Sequence, residues 1–258
     1  MDAEICLYVG PCRAANTRAL AEAVRQRSGE VLWLTPTRHT LPASGFRTAS
    51  LNDLVKEVLA DAGMETISPG QRRLLVEEVL AAGKLHHFAG VRETAGFAER
   101  LLDLFDELHA AGIGAAEYER SAGAAKARES ARLYRRYEEA LRELGLIDAA
   151  GREFAAATAI TKSPAALLLG VDTIVLDGFN EVTPGLKALV DALAGRVRRV
   201  HLSLLLGEDE RAELWALPRR ARDGLVGRRD RRPGRAARRR PTEAGAPSPP
   251  TVPAAAEG

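Results

Sequence analysis

Eight consecutive residues, Gly10-Pro11-Cys12-Arg13-Ala14-Ala15-Asn16-Thr17, follow a short apolar run and lead into a helical pattern. A phosphate-binding loop reads G-x-x-x-x-G-K-[ST]: glycines let backbone amides wrap the phosphates, lysine supplies charge and the hydroxyl holds magnesium. Here Gly10 fills the first position and Thr17 the last, while Ala15 replaces the second glycine and Asn16 the lysine. A helix N-terminus at this point still attracts an anion, but the charge that stabilises transferring phosphoryl oxygens is missing. Arg13 is the remaining cation in reach, although a guanidinium does not reproduce a lysine's position. An ordinary strand-to-helix turn is the competing reading.

A second candidate is Asp177, at the end of the apolar run TIVLD. A carboxylate emerging from the carboxyl end of a strand beside a phosphate loop is where an ATPase holds magnesium. A hydrolytic site also wants an acid next to it for the attacking water, yet Gly178 follows and the nearest acid is Glu181. The competing reading is an aspartate that opens a turn.

Both candidates require a particular scaffold. EICLYVG at 4–10 and VLWLTPT at 31–37 are β-prone apolar runs separated by a helical pattern, as in a β-α-β unit of a parallel sheet buried on both faces. From about residue 50 to 160 the periodicity is helical. Ser50 is positioned to cap one helix, Ser68 with Pro69 to open another, and Gly112 and Gly145 to follow helix ends. Strand patterns return at 171–179 and 196–206, with a helix through TPGLKALVDALAG between them. The fold class expected is α/β: a parallel sheet with a large all-helical insertion and a disordered C-terminal tail. The division expected is 1–45 and 166–216 for the α/β part, 46–165 for the insertion and 217–258 for the tail.

Composition narrows the function. The net charge of +2 hides a basic end, because residues 219–258 carry 11 arginines against four acids, which leaves the preceding body mildly acidic. That segment lacks the apolar content to order itself. Its abrupt start after a normal strand is read as a shifted reading frame near Leu217. Two cysteines, Cys6 and Cys12, do not make a disulfide framework or a four-cysteine cluster. The five histidines show no metal-ligand spacing, so no metal site is expected. The apolar runs are too short for a membrane span and the N-terminus is acidic, so the expected location is the cytoplasm, with no membrane partner.

Several segments in order resemble the N-terminal region of the B subunit of AddAB-type helicase–nucleases, relatives of superfamily 1 DNA helicases. They are YVGPCRAANT, VLWLTPT, FRTASLNDLVKEVL, ISPGQRRLLVEEVL, YRRYEEALRELGLID and VDTIVLDGFNEVTPGLKALVDALA, followed by VHLSLLL. The most specific is Asp-Gly-Phe followed by a Thr-Pro helix. The resemblance implies a P-loop NTPase-like, RecA-type fold and a place in double-strand-break processing beside a catalytic A subunit and DNA. It implies that this region is not a motor, and it carries over no nuclease activity and no catalytic residue. Gly10, Thr17 and Asp177 match nucleotide-site positions, with Arg13 and Asn16 completing a degenerate site that holds ATP and magnesium weakly at most. Thr35 and Thr37 match the place where related helicases touch single-stranded DNA, by hydroxyls and backbone; a hydroxyl-capped turn is the alternative. The rival functions are a stand-alone P-loop ATPase and an adaptor that binds DNA through the basic tail.

Overall fold

The computed structural model describes residues 3–10, 12–26, 28–37, 45–163, 165–179 and 181–205. The expected disordered tail at 217–258 lies outside them. Among the described residues no helix is long and apolar enough to cross a membrane.

The first strand, β1 (Glu4–Gly10), is followed by α1 (Arg13–Arg25), β2 (Glu30–Thr35) and a short β3 (Arg47–Ser50). Six helices come next: α2 (Leu51–Asp61), α3 (Pro69–Ala82), α4 (Ala95–Ala111), α5 (Ala115–Ser121), α6 (Ala125–Glu143) and α7 (Arg152–Lys162). Two-residue strands β4 (Glu65–Thr66) and β5 (Leu146–Ile147) lie among them, and β6 (Val171–Phe179), α8 (Pro184–Ala194) and β7 (Arg199–Leu205) close the order. The main sheet has the order β1-β7-β6-β2-β3, with every pairing parallel. The chain is thus α/β around a five-stranded parallel sheet. Strands β1 and β2, consecutive in sequence, are separated by β7 and β6.

Helices cover both faces of this sheet, as its apolar strands require. On one face α2, α7 and α8 pack with Leu32, Leu34, Ile174, Leu176, Val200 and Leu202. On the other, Leu20 and Val24 of α1 meet Trp33 and Val175, with Phe46 stacked on Trp33. A separate helical core formed by α3, α4, α5 and α6 buries Phe105, Leu133, Tyr134 and Tyr137. Parallel pairing of β4 with β5 clasps the entrance of this helical layer to its exit.

Local signals account for most boundaries. Ser50 accepts from the Asp53 amide and Asp53 answers to the Ser50 amide, a reciprocal cap; Ser68 and Gln71 repeat it, with Pro69 in the first turn. Gly112 and Gly145 stop α4 and α6 at left-handed φ angles of 74° and 67°. The expected start of the first helix is the exception. The periodicity places it at about Thr17, whereas α1 begins at Arg13, leaving two residues between strand and helix.

Candidate functional site at the carboxyl edge of the sheet

The carboxyl ends of β1, β7, β6 and β2 lie side by side, with Gly10 paired to Leu205, Leu204 to Phe179 and Leu176 to Leu34. Gly10, Arg13, Asn16, Thr17 and Asp177 therefore converge, on the edge where ligands of open α/β sheets are bound. Asp177 sits near the centre, with 1% of its surface exposed. Its Oδ2 accepts from the Thr17 hydroxyl at 2.7 Å and its Oδ1 from the Ser203 hydroxyl at 2.8 Å. Ser203 in turn accepts the Gly178 amide at 3.0 Å, so one hydroxyl ties two strands to the carboxylate.

Gly178 shapes this corner. Its φ of 82° belongs to the left-handed region, and the β6–β7 register shifts between Leu176 and Phe179. The extra residue is a bulge that returns Phe179 to the core and leaves Asp177 facing α1. The Arg13 guanidinium lies against the Gly178 backbone where a Cβ would stand. A side chain at 178 would displace it.

Asn16 is 7% exposed and turned inward. Its side-chain amide donates to the Leu204 carbonyl at 3.1 Å and to the Gly10 carbonyl at 3.4 Å, stitching the end of β1 to that of β7. Its backbone amide donates to the Cys12 carbonyl at 3.1 Å, as in any helical turn. The amides that would wrap a phosphate in an open loop are here the first turn of α1.

Thr35, at the end of β2, is fully buried, and its hydroxyl donates to the Thr37 carbonyl at 2.9 Å; Thr37 is exposed. The hydroxyl-capped turn is therefore present, and only Thr37 faces outward. Beside it, a cavity of about 360 Å³ is lined by Pro36, Asn52, Arg152 and Thr183. Glu181 is exposed, and neither Asp177 oxygen bonds to it. Among the described residues the arrangement offers one carboxylate that accepts from two hydroxyls, with no second acid hydrogen-bonded to it.

Sequence reasoning missed Ser203. Its signal was a lone hydroxyl inside the apolar run HLSLLL, where a buried polar group needs a partner. It also missed a buried polar cluster in the helical layer. There His109 Nδ1 donates to Asp148 at 2.5 Å, its Nε2 lies 3.4 Å from Glu138, and Arg72 reaches Asp106, Asp148 and Tyr137. Burial lowers the His109 pKa, but its bonds to Asp148 and Glu138 outweigh that and push it up to about 9. Burial works against the Asp148 charge as well, and the His109 and Gly151 hydrogen bonds still hold it below the usual carboxylate range.

The profile of the family described as "ADDB, N-terminal" matches residues 43–222, more than half of the chain. The match takes in β3, the whole helical layer, the Asp-Gly-Phe strand and β7, whereas β1, α1 and β2 precede it. No curated protein matches the chain. With the capped helices, the Asp-Gly-Phe bulge and the Thr-Pro helix in the matched order, the chain belongs to the AddB N-terminal family, a region of AddB-type helicase–nuclease subunits.

Proposed function

We propose that the chain is a non-motor, helicase-like scaffold in a subunit that processes DNA double-strand breaks, contacting DNA and a catalytic A-type subunit. The observation that carries this reading is the entry to α1. A P-loop NTPase-like sheet would present an open loop between β1 and the next helix, beside the strand that ends in Asp177. In this chain the helix begins two residues after the strand, and the Asn16 amide bridges the ends of β1 and β7.

The residues present do not fit a magnesium–nucleoside triphosphate complex. The lysine position is occupied by an inward amide, and the Asn16 N–H is spent within the helix. The Thr17 hydroxyl donates to one Asp177 oxygen and the Ser203 hydroxyl to the other, so the pair is held together by direct hydrogen bonds. No hydrolytic step is derived from this site. DNA contact is assigned to the exposed Thr37 and the adjoining backbone, with Thr35 shaping the turn beneath it. Such contacts position a strand without reading its bases.

The test is a titration of the chain with a fluorescent ATP analogue and magnesium, paired with phosphate release. Neither saturable binding nor release is expected. Magnesium-dependent binding with turnover, both abolished by Thr17→Ala, would overturn the reading in favour of a stand-alone ATPase.

A further inference from the structure

A cavity of about 220 Å³ opens between the carboxyl end of α3 and the first half of α6, remote in sequence from the sheet edge. Lys84, Arg132 and Arg136 line it, over a floor that includes Leu85 and Leu133. Neither Lys84 nor Arg136 makes a hydrogen bond or ion pair among the described residues. Arg132 reaches Glu129 through one nitrogen at 3.4 Å and is otherwise open, with its side chain 54% exposed.

Glu129, which also lines the cavity, offsets one of these charges through Arg132. Only 2% exposed, it accepts the backbone amides of His86 at 2.7 Å and Phe88 at 2.9 Å, which pins the turn that follows Lys84. Burial opposes its charge, and these amides prevail and hold it below the usual carboxylate range. Arg132 and Arg136 are one helical turn apart, a like-charged pair that costs a few tenths of a kcal/mol. Three cations against one buried, amide-bound carboxylate leave the cavity with a net positive charge, which favours an anion.

We propose that this cavity binds a phosphoryl group through Lys84, Arg132 and Arg136. Guanidinium forks match the paired oxygens of a phosphate, and the ammonium adds a point charge. The group can be free phosphate or the phosphodiester of a nucleic acid strand, which present the same oxygens. The competing role for the cations is to complement the negative end of the α3 dipole. Because the cavity is independent of the α1 entry, success or failure here leaves the scaffold reading as it stands.

The experiment measures acylation of lysines in the whole chain by an amine-reactive ester, read by mass spectrometry, with inorganic phosphate, a short oligothymidylate or oligo-glutamate added. Exposed Lys56 and Lys162 serve as internal references. The expected result is loss of Lys84 acylation with unchanged references, reversed in Arg136→Gln and retained in Arg136→Lys. Protection by inorganic phosphate identifies a free anion as sufficient, and protection by oligothymidylate alone identifies the strand. In the latter case Arg136→Gln also makes the salt dependence of binding shallower, by about 0.7–0.9 in logarithmic slope for each phosphate that is no longer neutralised. Protection by neither phosphate probe overturns the proposal, as does protection by oligo-glutamate alone. So does a lower melting temperature for Arg136→Gln with Lys84 protection unchanged, which assigns the cations to the end of α3.

Discussion

Asn16 and Gly178 are where single residues decide what the sheet edge can do. The Asn16 amide satisfies two main-chain carbonyls near the ends of β1 and β7. Asn16→Ala leaves them without that partner and should destabilise the chain by about 1–2 kcal/mol in urea denaturation; an unchanged midpoint would remove Asn16 from its stitching role. Gly178→Ala forces a left-handed Cβ into the Arg13 guanidinium. A loss of about 2 kcal/mol is expected from the strained backbone and the displaced side chain. The residue types at this site were legible in the sequence, including the missing lysine and the acid at the end of a strand. The direction Asn16 faces was not, because a spacing motif places a residue along the chain and leaves its rotamer to packing. Ser203 was illegible for a related reason: its partner Asp177 lies 26 positions away and meets it only across paired strands.

Most helices and strands here obey their local signals; the start of α1 and strand β3 do not. Both reciprocal caps, at Ser50 and Ser68, were readable as Ser followed three residues later by a side-chain acceptor. Ser50→Ala and Ser68→Ala should each cost about 1 kcal/mol and add when combined, because they cap different helices. Strand β3 was not readable, since four residues ending on the cap of α2 carry no alternating pattern of their own. The helical layer holds the chain's clearest dependence on pH. Unfolded histidine titrates near 6.5 and His109 in the fold near 9, so the native state keeps the proton longer. Its contribution is complete below the lower value and disappears as pH rises through the upper one. Denaturation between roughly pH 6.5 and 9.5 should reveal a loss on the order of 2–3 kcal/mol. His109→Gln should flatten that profile, and a slope that survives the substitution would locate the titration elsewhere. The sequence carried no sign of this pairing, because Asp148 and Glu138 lie 39 and 29 positions from His109, and only the packing of α4 against α6 and the turn after β5 joins them.

The described residues form a parallel sheet with helices on both faces and a second helical core whose entrance and exit are held together by β4 and β5. At this scale the family match and the parallel α/β fold agree with the pattern of strands and helices in the sequence, while the scaffold role rests on how α1 is entered. If an absent lysine were all that separated this site from a working ATPase, restoring it would restore turnover. If position 16 faces inward from the first turn of α1, a lysine there points at the ends of β1 and β7 rather than at a phosphate. The measurement that decides between them is steady-state phosphate release from magnesium–ATP by the chain and by Asn16→Lys, with and without single-stranded DNA. The account predicts no release above background from either protein. Release by Asn16→Lys that Thr17→Ala then abolishes would contradict it.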